Sequence, residues 1–138
     1  MSRRKEVLHI MMGGSIELPV VLQFKRFSNR RSMMKVLFVW FRRSDVTHDQ
    51  ALAEWSGQKH RSAVRKIPGL KKWIQNLPAE LPNATAADGI GELWFDTVET
   101  MQQGMASAEM AAAVEDGKRF ADMERAYVLV VDETAVIG

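Results

Sequence analysis

Lys35-Val36-Leu37-Phe38-Val39-Trp40-Phe41 is a run of β-branched and aromatic residues with no glycine or proline inside it, and it reads as a strand. Val36, Phe38 and Trp40 alternate with Leu37, Val39 and Phe41, so the strand is apolar on both faces and both need cover. After a short connection, Thr47-His48-Asp49-Gln50 has the form of a capping box, with Thr47 at the N-cap and Gln50 three residues in. The spacing predicts one helix to about Lys66, with Leu52, Ser56, His60 and Ala63 or Val64 on one stripe and Pro68-Gly69 as the stop.

Working outward, Leu70 to Leu77 reads as a second strand and Pro78 to Asp88 as a loop. Gly89 to Asp96 is a third strand, in which Gly91 suggests a bulge or a close approach. An N-cap at Asp96-Thr97 opens a helix carrying Val98, Met101 and Met105, and an Ala-rich helix follows from Ala108 to Glu115. Ala126 to Val131 is the last strand. The order β-α-β-β-α-(α)-β is the α+β, ferredoxin-like split βαβ arrangement, a four-stranded antiparallel sheet with helices on one face. The doubly apolar first strand implies that the other face is also covered, and a second copy packed sheet to sheet is the simplest cover, so a homodimer is expected.

The chain has 138 residues, 46% hydrophobic and 26% charged, with no cysteine and a net charge of +2. Disorder, a disulfide scaffold and thiolate chemistry are excluded by that composition. Residues 1–33 carry seven Lys/Arg against two Asp/Glu, whereas 34–138 carry twelve against fifteen. The body therefore offers no basic stripe for nucleic acid. Residues 1–33 read as a basic N-terminal extension, either an arm for an anionic partner or an appendage ahead of a start at Met33 or Met34, with a β-like run from Leu18 to Phe24. Neither a clear signal peptide nor an apolar run of about 20 residues is present, so no membrane span and a cytoplasmic location are expected.

His60 falls inside a regular element, and imidazole can exchange protons near neutral pH, so it is a candidate general acid/base; the alternative is a packed, hydrogen-bonded histidine. Glu92 lies among apolar strand residues and is a second acid/base candidate, or else one end of an ion pair with Arg42, Lys71 or Lys72. Tyr127 could donate to an oxyanion or serve the strand alone. His48, in a first helical turn, reads as solvated. The three histidines do not cluster at ligand spacing, so no metal is expected. Trp40, Trp73 and Trp94 read as core or interface, and Trp55 and Phe120 as pocket aromatics.

Residues 34–132, about 70% of the chain, resemble the EthD-like family of the dimeric α+β barrel superfamily. The carriers are Arg42-Arg43, His60, Ile67-Pro68-Gly69-Leu70, Trp73-Ile74-Gln75-Asn76, Asp88-Gly89-Ile90-Gly91-Glu92-Leu93-Trp94-Phe95-Asp96 and Arg119-Phe120-Ala121-Asp122, in that order. The family's helix pattern, aromatic-x-x-Tyr-Trp-x3-His-x-Pro, falls here on Leu52, Trp55, Ser56, His60 and Ser62: the His is kept, and Ser replaces both Trp and Pro. The exchange at Ser56 implies a larger or wetter cavity lined by Leu52, Trp55, Ser56 and Phe120. The resemblance implies a 34–138 domain that dimerises and takes small hydrophobic, often aromatic or polyketide-like, ligands. It implies cofactor-free decarboxylation, dehydration, cyclisation or isomerisation, or else a non-catalytic ligand-binding or accessory role in an oxidative catabolic pathway. A haem or oxygen-dependent enzyme is a third reading, which the resemblance implies because related barrels include such enzymes, with no motif behind it beyond His60.

Overall fold

The computed structural model describes the backbone of residues 5–12 and 16–23 and the whole of residues 33–138. The apolar run at the centre of the sequence becomes β3 (Met34–Trp40), which sits between β5 (Gly89–Phe95) and β6 (Tyr127–Val131). β3 and β5 run antiparallel from Met34↔Phe95 to Trp40↔Gly89, β3 and β6 from Lys35↔Val131 to Val39↔Tyr127, and β4 (Lys72–Asn76) closes the other edge against β5. This is the expected four-stranded antiparallel sheet. Two further strands, β1 (Lys5–Met12) and β2 (Ile16–Gln23), form a hairpin, and β2 joins β6 in parallel through Val20↔Val128 and Val21↔Leu129. The N-terminal segment thus extends the sheet, and its expected β-like run falls largely on β2; residues 24–32 lie outside the described residues.

The first helix of the sequence reading is divided in two, whereas the two helices expected after Thr97 are both present. α1 (His48–Trp55) starts on the expected Thr47 capping box and ends at Ser56, whose hydroxyl donates to the Leu52 carbonyl at 2.8 Å. α2 (Gln58–Arg65) starts afresh at Gly57. α3 (Val98–Met105) is capped by Thr97 and α4 (Ala108–Gly117) by Ser107. Side-chain oxygens at these caps satisfy N–H groups that a helix start leaves bare. The turn after α2 depends on Gly69, whose φ of +79° lies in the left-handed region that favours glycine.

Strand alternation divides the sheet's side chains between two environments. Met34, Val36, Leu93, Phe95, Val128 and Val130 pack under the helices with Met101, Met105, Met110 and Val114. Val98, expected on the same helix stripe, is exposed instead. The opposite face carries Lys35, Ile74, Ile90, Glu92, Trp94 and Tyr127, and Ile74, Ile90 and Tyr127 are 36–40% exposed. Trp94 on that face is shielded by two ammonium groups, Lys35 and Lys72, at 4.9 and 4.6 Å from its ring centre. No helix among the described residues is long and apolar enough to cross a membrane.

Candidate functional site

The break at Ser56-Gly57 decides which residues face inward. A continuous helix would place Leu52, Ser56 and His60 on one stripe. The restart re-phases the second half, and the buried residues are Ala51 and Trp55 in α1 and His60 and Val64 in α2. Trp55 and His60 therefore meet in one cavity between the helices and the sheet, open in part to solvent. Phe38, Trp40, Trp73 and Phe120 supply its aromatic walls. Leu52 and Ser56 do not line it; Ser56 spends its hydroxyl on the backbone of its own helix.

Glycines make room for these rings. A Cβ on Gly89 would lie 2.5 Å from Trp40 Nε1 and 2.8 Å from Trp55 Cζ3. Trp40 is 1% exposed, its ring edge-on to Trp55 and Phe120 at 5.1 and 5.3 Å. Its indole N–H has no hydrogen-bond acceptor among the described residues. The ring of Trp55 stands at an angle of 63° to that of Trp40, an arrangement in which an aromatic edge meets a π face.

Among the lining residues, His60 is the one titratable group. Its Nδ1 lies 2.9 Å from Asp116 Oδ2 in the last turns of α4, and its ring stands edge-on to Phe120 at 5.1 Å. Arg119 grips the same carboxylate, Nε to Oδ1 at 2.8 Å and Nη2 to Oδ2 at 3.1 Å, and reaches Glu54 of α1 with Nη1. Burial pushes the imidazole below its ordinary value, assisted by the Arg119 charge and opposed by Asp116. Burial works against the Asp116 carboxylate, but Arg119 and His60 outweigh it and hold it below the usual carboxylate range.

The other expected acid/base residues stand elsewhere. Glu92 is on the far face of the sheet, where it pairs with Lys35 at 2.5 Å and accepts from Asn76 Nδ2 at 2.9 Å; these two partners hold its carboxyl below the ordinary value. Tyr127 is 40% exposed on that same face, with its ring tilted against Phe41. Neither lines the cavity. Both are one residue out of phase with their inward-facing neighbours Leu93 and Val128.

His48 also departs from expectation. Its side chain is 15% exposed, with Nδ1 2.8 Å from Asp88 Oδ1 and Nε2 2.9 Å from the Pro78 carbonyl. Both partners can only accept, so the ring meets both as an imidazolium. Burial alone would lower its pKa, but the bonds to Asp88 and Pro78 prevail and raise it. Asp88, 2% exposed, also accepts from the Arg42 amide at 2.8 Å and from Arg42 Nη1 at 3.1 Å. This knot ties the 77–88 connection to α1 and to the end of β3. No group of three His, Cys, Asp or Glu residues among the described residues could hold a metal ion.

Sheet order, helix placement and an aromatic cavity with one buried imidazole define a ferredoxin-like α+β protein. An EthD domain model matches residues 43–124, and the chain belongs to that family. The structure is similar to an ethyl tert-butyl ether D (EthD) family protein from Bacillus halodurans C-125, at 25% identity and TM-score 0.60, over 75% of this chain and 100% of that one. A dimeric protein of unknown function with a ferredoxin-like fold, from Bacteroides fragilis, aligns at 15% identity and TM-score 0.57 over 73% and 96%. A dimeric ferredoxin-like protein from Thermobifida fusca aligns at 15% identity and TM-score 0.53 over 73% and 92%. No curated protein matches the chain.

Proposed function

We propose that this protein binds a small hydrophobic, oxygenated compound in the aromatic cavity and transforms it by proton transfer at His60, without a cofactor. The observation that carries this reading is a single buried imidazole whose Nδ1 is engaged by Asp116, while its Nε2 makes no hydrogen bond among the described residues, in a cavity otherwise walled by apolar side chains. Trp40, Trp55, Trp73 and Phe120 suit a planar ligand, since rings of this size offer area and stacking. Decarboxylation, dehydration, cyclisation and isomerisation each need a proton moved and no electron carrier. Glu92 and Tyr127, on the other face of the sheet, take no part in this reading.

The working unit is a homodimer. The exposed Ile74, Ile90 and Tyr127 on the helix-free face support it, as do two fold neighbours described as dimeric. Sedimentation of wild type and of an Ile74→Lys/Ile90→Lys variant tests this: a wild-type monomer at micromolar concentration refutes it.

The presence of only one titratable group in the cavity lining favours a second reading, in which the protein binds the same ligand class without turning it over and serves an oxidative catabolic pathway as an accessory. A thermal-shift screen of aromatic, lactone and polyketide-like compounds on wild type and His60→Ala separates the two readings. A compound at one hundred times its Kd adds about 2.7 kcal/mol to stability. A compound that stabilises wild type and is consumed by it, but not by His60→Ala, supports catalysis. Binding with no consumption supports the accessory role, and no binding by any compound refutes both.

A further inference from the structure

We infer that Asp116, clamped by Arg119, is a positioning residue that locks His60 with its proton on Nδ1 and a bare lone pair on Nε2, so that the cavity begins each cycle as a base. The argument starts from hydrogen-bond capacity. An ionised carboxylate only accepts, so the 2.9 Å contact to Asp116 Oδ2 places a proton on Nδ1. The two Arg119 contacts occupy both carboxylate oxygens and prevent the group from turning away. Arg119 is itself held by Glu54 from α1, and Lys59 of α2 adds a further cation 3.9 Å from Asp116 Oδ1.

The charges facing the imidazole are therefore already balanced. Asp116 is matched by Arg119, so no second cation is required to neutralise it. His60 is buried at 8% exposure, and a neutral ring is what such a site favours. Phe120 meets the ring edge-on, and Gly117 passes beside it, where a Cβ would lie 3.8 Å from His60 Cε1 and only 2.7 Å from Met123 Cε. Three helices and the turn after α4 thus determine one tautomer and one orientation.

For chemistry, this resting state selects a class of substrate. Nε2 takes a proton from a C–H beside a carbonyl or from a phenolic O–H; the bonding pair stays on the substrate as an enolate or phenolate. The imidazolium formed is stabilised by Asp116. Return of the proton to another carbon completes an isomerisation; its delivery to a departing hydroxyl completes a dehydration. Neither route needs an oxidant. That the tautomer serves turnover rests on the catalytic reading of His60; the tautomer itself does not.

The test is two-bond 1H–15N correlation spectroscopy of the full chain labelled at histidine, titrated from pH 5 to 9, with His60→Gln assigning the signal among the three histidines. The expected wild-type result is a neutral His60 at pH 7 protonated at Nδ1. Asp116→Asn keeps an acceptor for Nδ1–H but loses the charge, and is expected to lower the titration midpoint, and Arg119→Met to raise it. These opposite shifts are not the signature of two equally disruptive substitutions. An Nε2–H tautomer or an imidazolium at pH 7 in wild type overturns the inference, as does an unchanged titration midpoint in Asp116→Asn. Should Asp116→Asn fail to fold, the wild-type spectrum and Arg119→Lys decide it. Failure of the catalytic reading appears separately, as unchanged turnover in His60→Ala.

Discussion

Replacing Asp88 with alanine is expected to destabilise the fold by about 3–5 kcal/mol, the usual cost of removing one partner of a buried ion pair. The carboxylate serves three donors: the Arg42 amide, Arg42 Nη1 and His48 Nδ1. The Arg42 side chain is 30% exposed and can turn to water, so its loss adds little. The amide and the imidazolium are left beside an empty site, at about 1–3 kcal/mol each. Urea unfolding at fixed protein concentration measures the sum; with a slope of about 2 kcal/mol/M, the midpoint falls by about 2 M. The loss is expected to be larger at pH 6 than at pH 9, because an orphaned His48 carries its charge at the lower pH. A loss below about 1 kcal/mol, or one independent of pH, refutes the reasoning and means that the carboxylate is hydrated.

The imidazoles of His48 and His60 give stability opposite slopes around pH 6.5. His48, with its pKa raised in the fold, stabilises fully below 6.5 and loses that contribution as pH rises through its folded value. His60, with its pKa lowered, costs nothing above 6.5 and costs stability as pH falls toward its folded value, so His48→Gln is expected to flatten the alkaline limb and His60→Gln the acid limb of a thermal-melt pH series. Gly89→Ala is expected to cost about 3 kcal/mol in urea unfolding, the upper end for overpacking, because its Cβ meets two buried rings and not a flexible chain end. Thr97→Ala removes the hydroxyl that caps α3 and is expected to cost about 1 kcal/mol by the same assay.

The strands are legible in the sequence because each is bounded by breakers and filled with β-formers: Lys35 to Phe41, Leu70 to Leu77 and Gly89 to Asp96 fall on β3, β4 and β5. Strand parity is harder to read. Where both faces are apolar, alternation says little about which side meets the helices, and Glu92 and Tyr127 are therefore expected on the wrong one. A signal does exist: Gly89, Gly91, Leu93 and Phe95 share a parity, and glycines there face the tryptophans. The helical stripe fails for a different reason. Ser56-Gly57 interrupts the rotation, so the two side chains that meet in the cavity, Trp55 and His60, stand five positions apart and not four. Asp116 is out of reach because its bond to His60 spans 56 positions and belongs to tertiary packing alone. His48 misleads for a similar reason: its place in a first helical turn suggests water, but the returning 77–88 connection covers it.

The distribution of the four tryptophans gives the molecule a built-in spectroscopic reporter. Trp40, Trp55 and Trp73 wall the cavity, and Trp94 stands on the far side of the sheet beneath two lysines. Emission from three of the four indoles is consequently tied to whatever occupies the site, and a planar absorbing ligand would quench them together. A Trp94→Phe variant would leave a fluorophore set confined to the cavity, so that occupancy could be titrated without a label or a substrate assay, whatever the reaction turns out to be. Conversely, a variant keeping Trp94 as its sole indole would be blind to the cavity and would report only on the environment of the opposite face.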